Sequence, residues 1–224
     1  MYNVDKKVLM NKYLLIITNI LLIIFTAIGL WLMFSRRSAA SPSEFLAKGF
    51  RNFKYFTTLS NVFCGLVAFS YLFALVFAKN EKTWKILNTF KIMSSAAVGV
   101  TFFVVLAFLG PLYGFSRMYR SSNLWFHLLI PIFAMIEFCF IKFEYVFNKT
   151  LYAGIPVAIY GTIYLFNNLI NGTGTYRNTN DFYGFLKWGY PIGILAFIVI
   201  LLLGWGIACL LRFIRKLASN NQKS

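Results

Sequence analysis

The chain alternates between long apolar runs and short polar breaks. Apolar residues fill about 13–34, 53–77, 86–109, 124–141, 151–170 and 190–211, with Lys, Arg, Asn, Gly and Ser gathered between them. Each run approaches or exceeds the ~20 residues that a helix needs to cross the hydrocarbon core. No run shows the strict alternation of a membrane strand, and a helix satisfies its own backbone within one segment. The pattern therefore predicts an all-α integral membrane protein, with six transmembrane helices in one bundle spanning 1–224 as a single domain. A secretory signal is the rival reading of the first run, because Ser38-Ala39-Ala40 offers small residues. That apolar core is too long for a signal and is closed by Arg36 and Arg37, which favours a retained span.

Composition sharpens this picture. Of 224 residues, 59% are hydrophobic, 20% aromatic and only 12% charged. A soluble domain of this length could not hide so much apolar surface. The net charge of +16 does not point to nucleic acid, because Lys and Arg lie mostly between or beside the apolar runs, as membrane-flanking charge does. They are more numerous on the side of the termini and the second and fourth loops, so cytoplasmic termini are expected. Cys64, Cys139 and Cys209 all lie inside apolar runs without metal-like spacing and read as packing residues. No metal and no cofactor is called for. In the first loop, Ser41-Pro42-Ser43-Glu44 is a plausible start for a short surface helix.

Polar groups inside the apolar runs carry the candidate chemistry. The second run opens on Lys54-Tyr55-Phe56-Thr57-Thr58-Leu59-Ser60-Asn61. Its Thr57, Ser60, Asn61, Cys64, Gly65 and Ala68 recur at helical spacing, so they share one face turned into the bundle. The fifth run repeats the device with Tyr160, Tyr164, Asn167, Asn168 and Asn171. His127, the one histidine, lies about three residues into the fourth run. Topology opens the second and fourth runs, and closes the fifth, at the same membrane face. Thr57 and His127 then lie at similar depth, roughly 5–6 Å below the mouth at ~1.5 Å per residue. Plain helix–helix hydrogen bonding explains the stripes equally well, and an interfacial polar anchor explains His127. Pro131 frees the carbonyl of His127, four residues back, and should kink the helix there. Glu137, ten residues further and about 15 Å away, reads as a structural acid, with Lys91 as a partner. Glu144 lies towards the same far face.

These residues resemble a family. Phe53-Lys54-Tyr55-Phe56-Thr57 is similar to the aromatic-Lys-aromatic-Leu-Thr element of the androgen-induced-gene/ADTRP-type six-span membrane proteins. Asn123, His127 and Glu137 match their Asn-x-x-x-His followed ten residues on by Glu. Asn167 to Gly172 and Tyr183-Gly184-Phe185-Leu186 echo their aromatic approach to Gly and then Tyr-Pro-Phe-Leu. The likeness runs from about Phe53 to Tyr190 and extends to the bacterial Pr-six-Pr relatives. Gly184 stands where the family has Pro, Phe56 where it has Leu, and Pro131 is displaced by one position.

The resemblance implies a threonine hydrolase of fatty-acid esters of hydroxy fatty acids, acting on a lipid in the bilayer. Thr57 would be the nucleophile and His127 the general base. Asn61, Asn123, Asn167 or Asn168 would supply an oxyanion donor, and Asp181 in the fifth loop would orient the imidazole. Two readings stand beside it: a lipid-binding protein or transporter using the same polar cavity, and an assembly scaffold whose basic tail touches anionic lipid.

Overall fold

The computed structural model describes residues 6–35, 49–78, 80–140, 147–175 and 178–220. Six helices are long and apolar enough to cross a membrane: Tyr13–Ser35, Phe56–Phe77, Glu81–Tyr113, Ser122–Cys139, Phe147–Asn171 and Tyr190–Ala218. They pack together as an all-α bundle, and the protein is an integral, multi-pass membrane protein. The surface helix expected around Ser41–Glu44, and Glu144, lie outside the described residues.

Polarity runs inward. Leu66, Phe69, Phe73, Ile163, Ile170 and Leu202 are exposed on the outer face, while Asn19, Asn61, Lys91, Ser94, Ser95 and Glu137 are buried. Lipid tails are as apolar as Leu, so outward apolar groups cost nothing and polar groups gather between helices. The third span is central and packs against the second, fourth, fifth and sixth. Ile92, Ala96, Val100, Phe138, Val157 and Ile207 form one core cluster, and Leu22, Met33, Cys64, Val98, Phe126 and Ile130 another. A Cβ on Gly29 would lie 2.5 Å from the Phe126 ring, so this glycine lets the fourth span close on the first.

A polar triad joins the first, third and fourth spans at depth. Lys91 Nζ lies 2.6 Å from Glu137 Oε2 and donates to Asn19 Oδ1 at 2.7 Å. Asn19 Nδ2 donates to Glu137 Oε1 at 2.5 Å. Each charge inside the bundle thus has a partner, as its burial demands.

Two boundaries differ from the sequence pattern in ways that matter. Gly49–Lys54 is a 3₁₀ turn and Tyr55 is extended (φ −90°, ψ 136°), so the second helix starts at Phe56 rather than 53. Thr57 is therefore in the first turn, not four residues deep. The third span begins early, at Glu81, because the Asn80 side chain accepts the Thr83 N–H at 2.8 Å and caps it.

Two π-helical stretches, Val105–Leu109 and Trp125–Leu129, interrupt the third and fourth spans. Two residues after the end of each stands a proline, Pro111 and Pro131. Proline cannot donate to the carbonyl four residues back, that of Ala107 or His127. The turn widens instead, so that Gly110 N–H reaches Val105 O and Ile130 N–H reaches Trp125 O. The kink expected at Pro131 takes this form, and His127 sits within it.

Candidate functional site

Thr57 is held from its backbone. Its carbonyl accepts Ser60 Oγ at 3.1 Å and Asn61 Nδ2 at 2.7 Å. The same Asn61 amide donates to the Phe126 carbonyl at 3.0 Å, the residue before His127. Asn61 thus clamps the turn carrying Thr57 to the turn carrying His127. The Thr57 hydroxyl has no hydrogen-bond partner among the described residues.

His127 is 8% exposed. Its Nδ1 lies 2.7 Å from the Met118 carbonyl. A carbonyl only accepts, so Nδ1 carries the hydrogen and Nε2 is left with its lone pair. Nε2 has no partner among the described residues. Met118 reaches this position because the third loop folds back on itself: Gly114 (φ 89°) and Ser121 (φ 57°) both take positive φ. For a serine that conformation is uncommon and stores strain.

Thr57 and His127 line one small cavity of about 50 Å³, together with Thr58, Met118, Asn123 and Tyr183. One water needs about 10–15 Å³ of such space, so the cavity has room for more than one. A larger cavity of about 160 Å³ lies between the third, fifth and sixth spans, lined by Val104, Phe108, Leu165, Phe197 and Ile200 among others. Thr57, Leu109 and Tyr183 line both. Thr57 therefore stands where the histidine-bearing chamber meets the larger apolar one.

The fifth loop closes the site from above. After a short antiparallel ladder, Gly174–Thr175 with Asn178–Thr179, it turns down and sets Tyr183 over the second helix. The Tyr183 hydroxyl accepts the Phe56 N–H at 2.8 Å. Its ring stacks on Phe185, centroids 5.2 Å apart, and meets Tyr55, Tyr160 and Tyr164 at edge or tilted geometry. Burial pushes the Tyr183 phenol up to about 12, so it stays a hydrogen-bond donor near neutral pH. Burial, then the charge of Arg51, lowers the Lys54 ammonium from its usual value. Lys54 also lies 4.7 Å from the Phe182 ring centroid, a cation–π contact that fastens the loop to the mouth.

The other residues singled out from the sequence have separate places. Asn123 lines the small cavity. Asn168 donates to the Tyr164 and Asn180 carbonyls at 2.8 and 3.2 Å, tying the loop to the fifth span. Asn167 accepts from Asn171 at 2.9 Å and lines neither cavity. Asp181 accepts from the Tyr164 hydroxyl and from Leu186 N–H, at 3.1 Å for the latter. It braces the loop, and the group on His127 is the Met118 carbonyl instead of Asp181. Glu137 is in the deep triad. Among the described residues no three His, Cys, Asp or Glu side chains gather as a metal site would require.

Two members of the site were not legible as such. Met118 acts through its backbone, which carries no residue signal. Tyr183 stands in a motif noted in the sequence, yet its position over Phe56 depends on how the loop folds. Compared with known proteins, the chain matches no protein-family model, no curated protein and no solved structure.

Proposed function

We propose that this protein is an intramembrane hydrolase of lipid esters, with Thr57 as nucleophile and His127 as general base. The observation that carries the reading is the position of Thr57, on the boundary between the chamber of His127 and the 160 Å³ apolar cavity. An ester carbonyl at that boundary would leave its acyl chain among Val104, Phe108, Phe197 and Ile200. The resemblance to the androgen-induced-gene/ADTRP-type hydrolases supports the same pair.

The chemistry follows from the groups present. His127 Nε2 takes the Thr57 proton as Oγ1 bonds to the acyl carbon and the carbonyl electrons move onto oxygen. Collapse restores the carbonyl and breaks the bond to the leaving alkoxide, which takes the proton from Nε2. Water, deprotonated in turn by His127 Nε2, attacks the acyl carbon, and collapse breaks its bond to Thr57 Oγ1, which takes that proton back from Nε2 as the fatty acid leaves. With cytoplasmic termini, as the excess of Lys and Arg on that side supports, the site opens to the opposite face.

Labelling with a fluorophosphonate probe tests the reading. Wild type and Thr58→Ala are expected to label, and Thr57→Ala and His127→Ala to remain unlabelled while folded. A second reading, lipid binding without chemistry, draws on the same apolar cavity. It predicts that no variant labels and that Thr57→Ala binds a fluorescent lipid like wild type.

A further inference from the structure

The hydrolase reading leaves the developing negative charge of the tetrahedral intermediate without an assigned partner. Of the asparagines expected to supply one, Asn61 has both amide hydrogens committed, to the Thr57 and Phe126 carbonyls. Asn168 has both committed to Tyr164 and Asn180, and Asn167 lines neither cavity.

The second helix offers donors of its own. The first N–H groups of a helix have no intrahelical acceptor, and Tyr55 provides no side-chain cap. Phe56 N–H is taken by the Tyr183 hydroxyl and Leu59 N–H by the Tyr55 carbonyl, at 2.8 and 3.3 Å. The N–H groups of Thr57 and Thr58 have no partner among the described residues. Both residues line the small cavity, and the positive end of the helix dipole lies there. His127 faces the same cavity, 8% exposed, with Nε2 unpartnered among the described residues. A buried ring nitrogen and two orphan amides around one small chamber call for a ligand that both gives up a proton and gains negative charge.

Tyr183 completes the set. Its oxygen accepts from Phe56, which leaves its own hydrogen to donate. The Tyr160 hydroxyl lies 3.5 Å away and directs its single hydrogen to the Lys54 carbonyl at 2.5 Å. Tyr183 lines both cavities beside Thr57.

Resting on the reading of Thr57 as nucleophile, we propose that the backbone N–H groups of Thr57 and Thr58 and the hydroxyl of Tyr183 form the oxyanion hole of this site. The carbonyl oxygen of the ester enters the chamber between them. As the Oγ1–carbon bond forms and the carbonyl π pair moves onto that oxygen, the three donors hold the resulting anion. When the carbonyl re-forms, the anion is discharged and the hydrogen bonds slacken. Because Tyr183 comes from the fifth loop, the catalytic set is complete only with that loop seated on the second helix.

The test uses the full-length protein in detergent micelles with a p-nitrophenyl acyl ester. Wild type, Tyr183→Phe, Thr58→Pro and Asn123→Ala are compared in kcat and KM, and in inhibition by an alkyl boronic acid against the matching alkyl ether. The boronic acid becomes a tetrahedral anion on Thr57, whereas the ether gains no charge. Tyr183→Phe is expected to lower kcat by about 10²–10³-fold with KM unchanged, and to weaken the boronic acid but not the ether. Thr58→Pro removes one orphan N–H in a first turn, where proline is tolerated, and should act in the same direction. An active wild type with an undiminished Tyr183→Phe overturns the proposal alone, as does a loss confined to KM or a boronic acid effect belonging to Asn123→Ala instead. A folded wild type that turns over no ester overturns the hydrolase reading with it.

Discussion

His127 donates its Nδ1 hydrogen to the Met118 carbonyl at 2.7 Å, and this one bond determines which ring nitrogen is left basic. Neutral imidazole has one N–H, so fixing it on Nδ1 presents the lone pair of Nε2 to the chamber that Thr57 shares. A backbone carbonyl here orients the ring without bringing a second charge into the membrane. His127→Ala is expected to lower ester turnover by about 10²–10⁴-fold, the usual share of a general base. Single-turnover kinetics on the purified variant, with circular dichroism to verify its helices, would check this; wild-type rates would remove His127 from the mechanism.

Asn61 is expected to matter without touching substrate. Its amide bridges the Thr57 and Phe126 carbonyls at 2.7 and 3.0 Å, and Asn61 is completely buried. Asn61→Leu leaves the Thr57 carbonyl only the Ser60 hydroxyl as a side-chain donor and removes the amide from the Phe126 carbonyl, which costs about 1–3 kcal/mol in a buried site. Thermal unfolding in detergent should show the loss, and fluorophosphonate labelling should slow because the two turns are no longer held together. Unchanged stability would show that the clamp is not needed.

The Lys91–Glu137 pair should be a matter of stability alone. It lies within the deep triad, and neither residue lines either cavity. Lys91→Met leaves an uncompensated carboxylate and is expected to destabilise by about 3–5 kcal/mol, whereas Lys91→Met with Glu137→Leu should recover most of it. The folded yield of the single and double variants in detergent would decide. A double variant that folds but loses ester turnover would place the triad in function.

The far end of the apolar cavity should set acyl-chain preference. A Cβ on Gly161 would meet the Phe197 ring at 2.0 Å, so the ring lies flush on the fifth span and bounds the space. Phe197→Ala opens the cavity and is expected to shift kcat/KM towards longer p-nitrophenyl esters. Gly161→Ala, which forces the ring inward, should shift it towards shorter ones. A chain-length profile unchanged in both variants would place the acyl chain elsewhere.

Sequence periodicity by itself determined that six helices cross the bilayer, because crossing demands about 20 apolar residues per helix and the runs lack the alternation of a membrane strand. It also indicated much of what faces inward: Ser60, Asn61 and Cys64 recur at helical spacing and all three are buried, whereas in the fifth-run stripe Tyr164 and Asn168 are buried and Asn171 is exposed. Glu137 was expected to need a partner, and Lys91 is that partner. Tertiary structure decided what these groups do. Where the second helix begins depends on Tyr55 being extended, and that moved Thr57 into the first turn, beside unpartnered N–H groups. The ring tautomer of His127 depends on a carbonyl nine residues away, and a carbonyl is the same in every residue. The position of Tyr183 over Phe56 depends on a loop tied to the fifth span through Asp181 with Tyr164 and Asn168 with Asn180, contacts between separate stretches of the chain. Local patterning encodes burial and periodicity, whereas the site is made of backbone groups and long-range contacts that no spacing records.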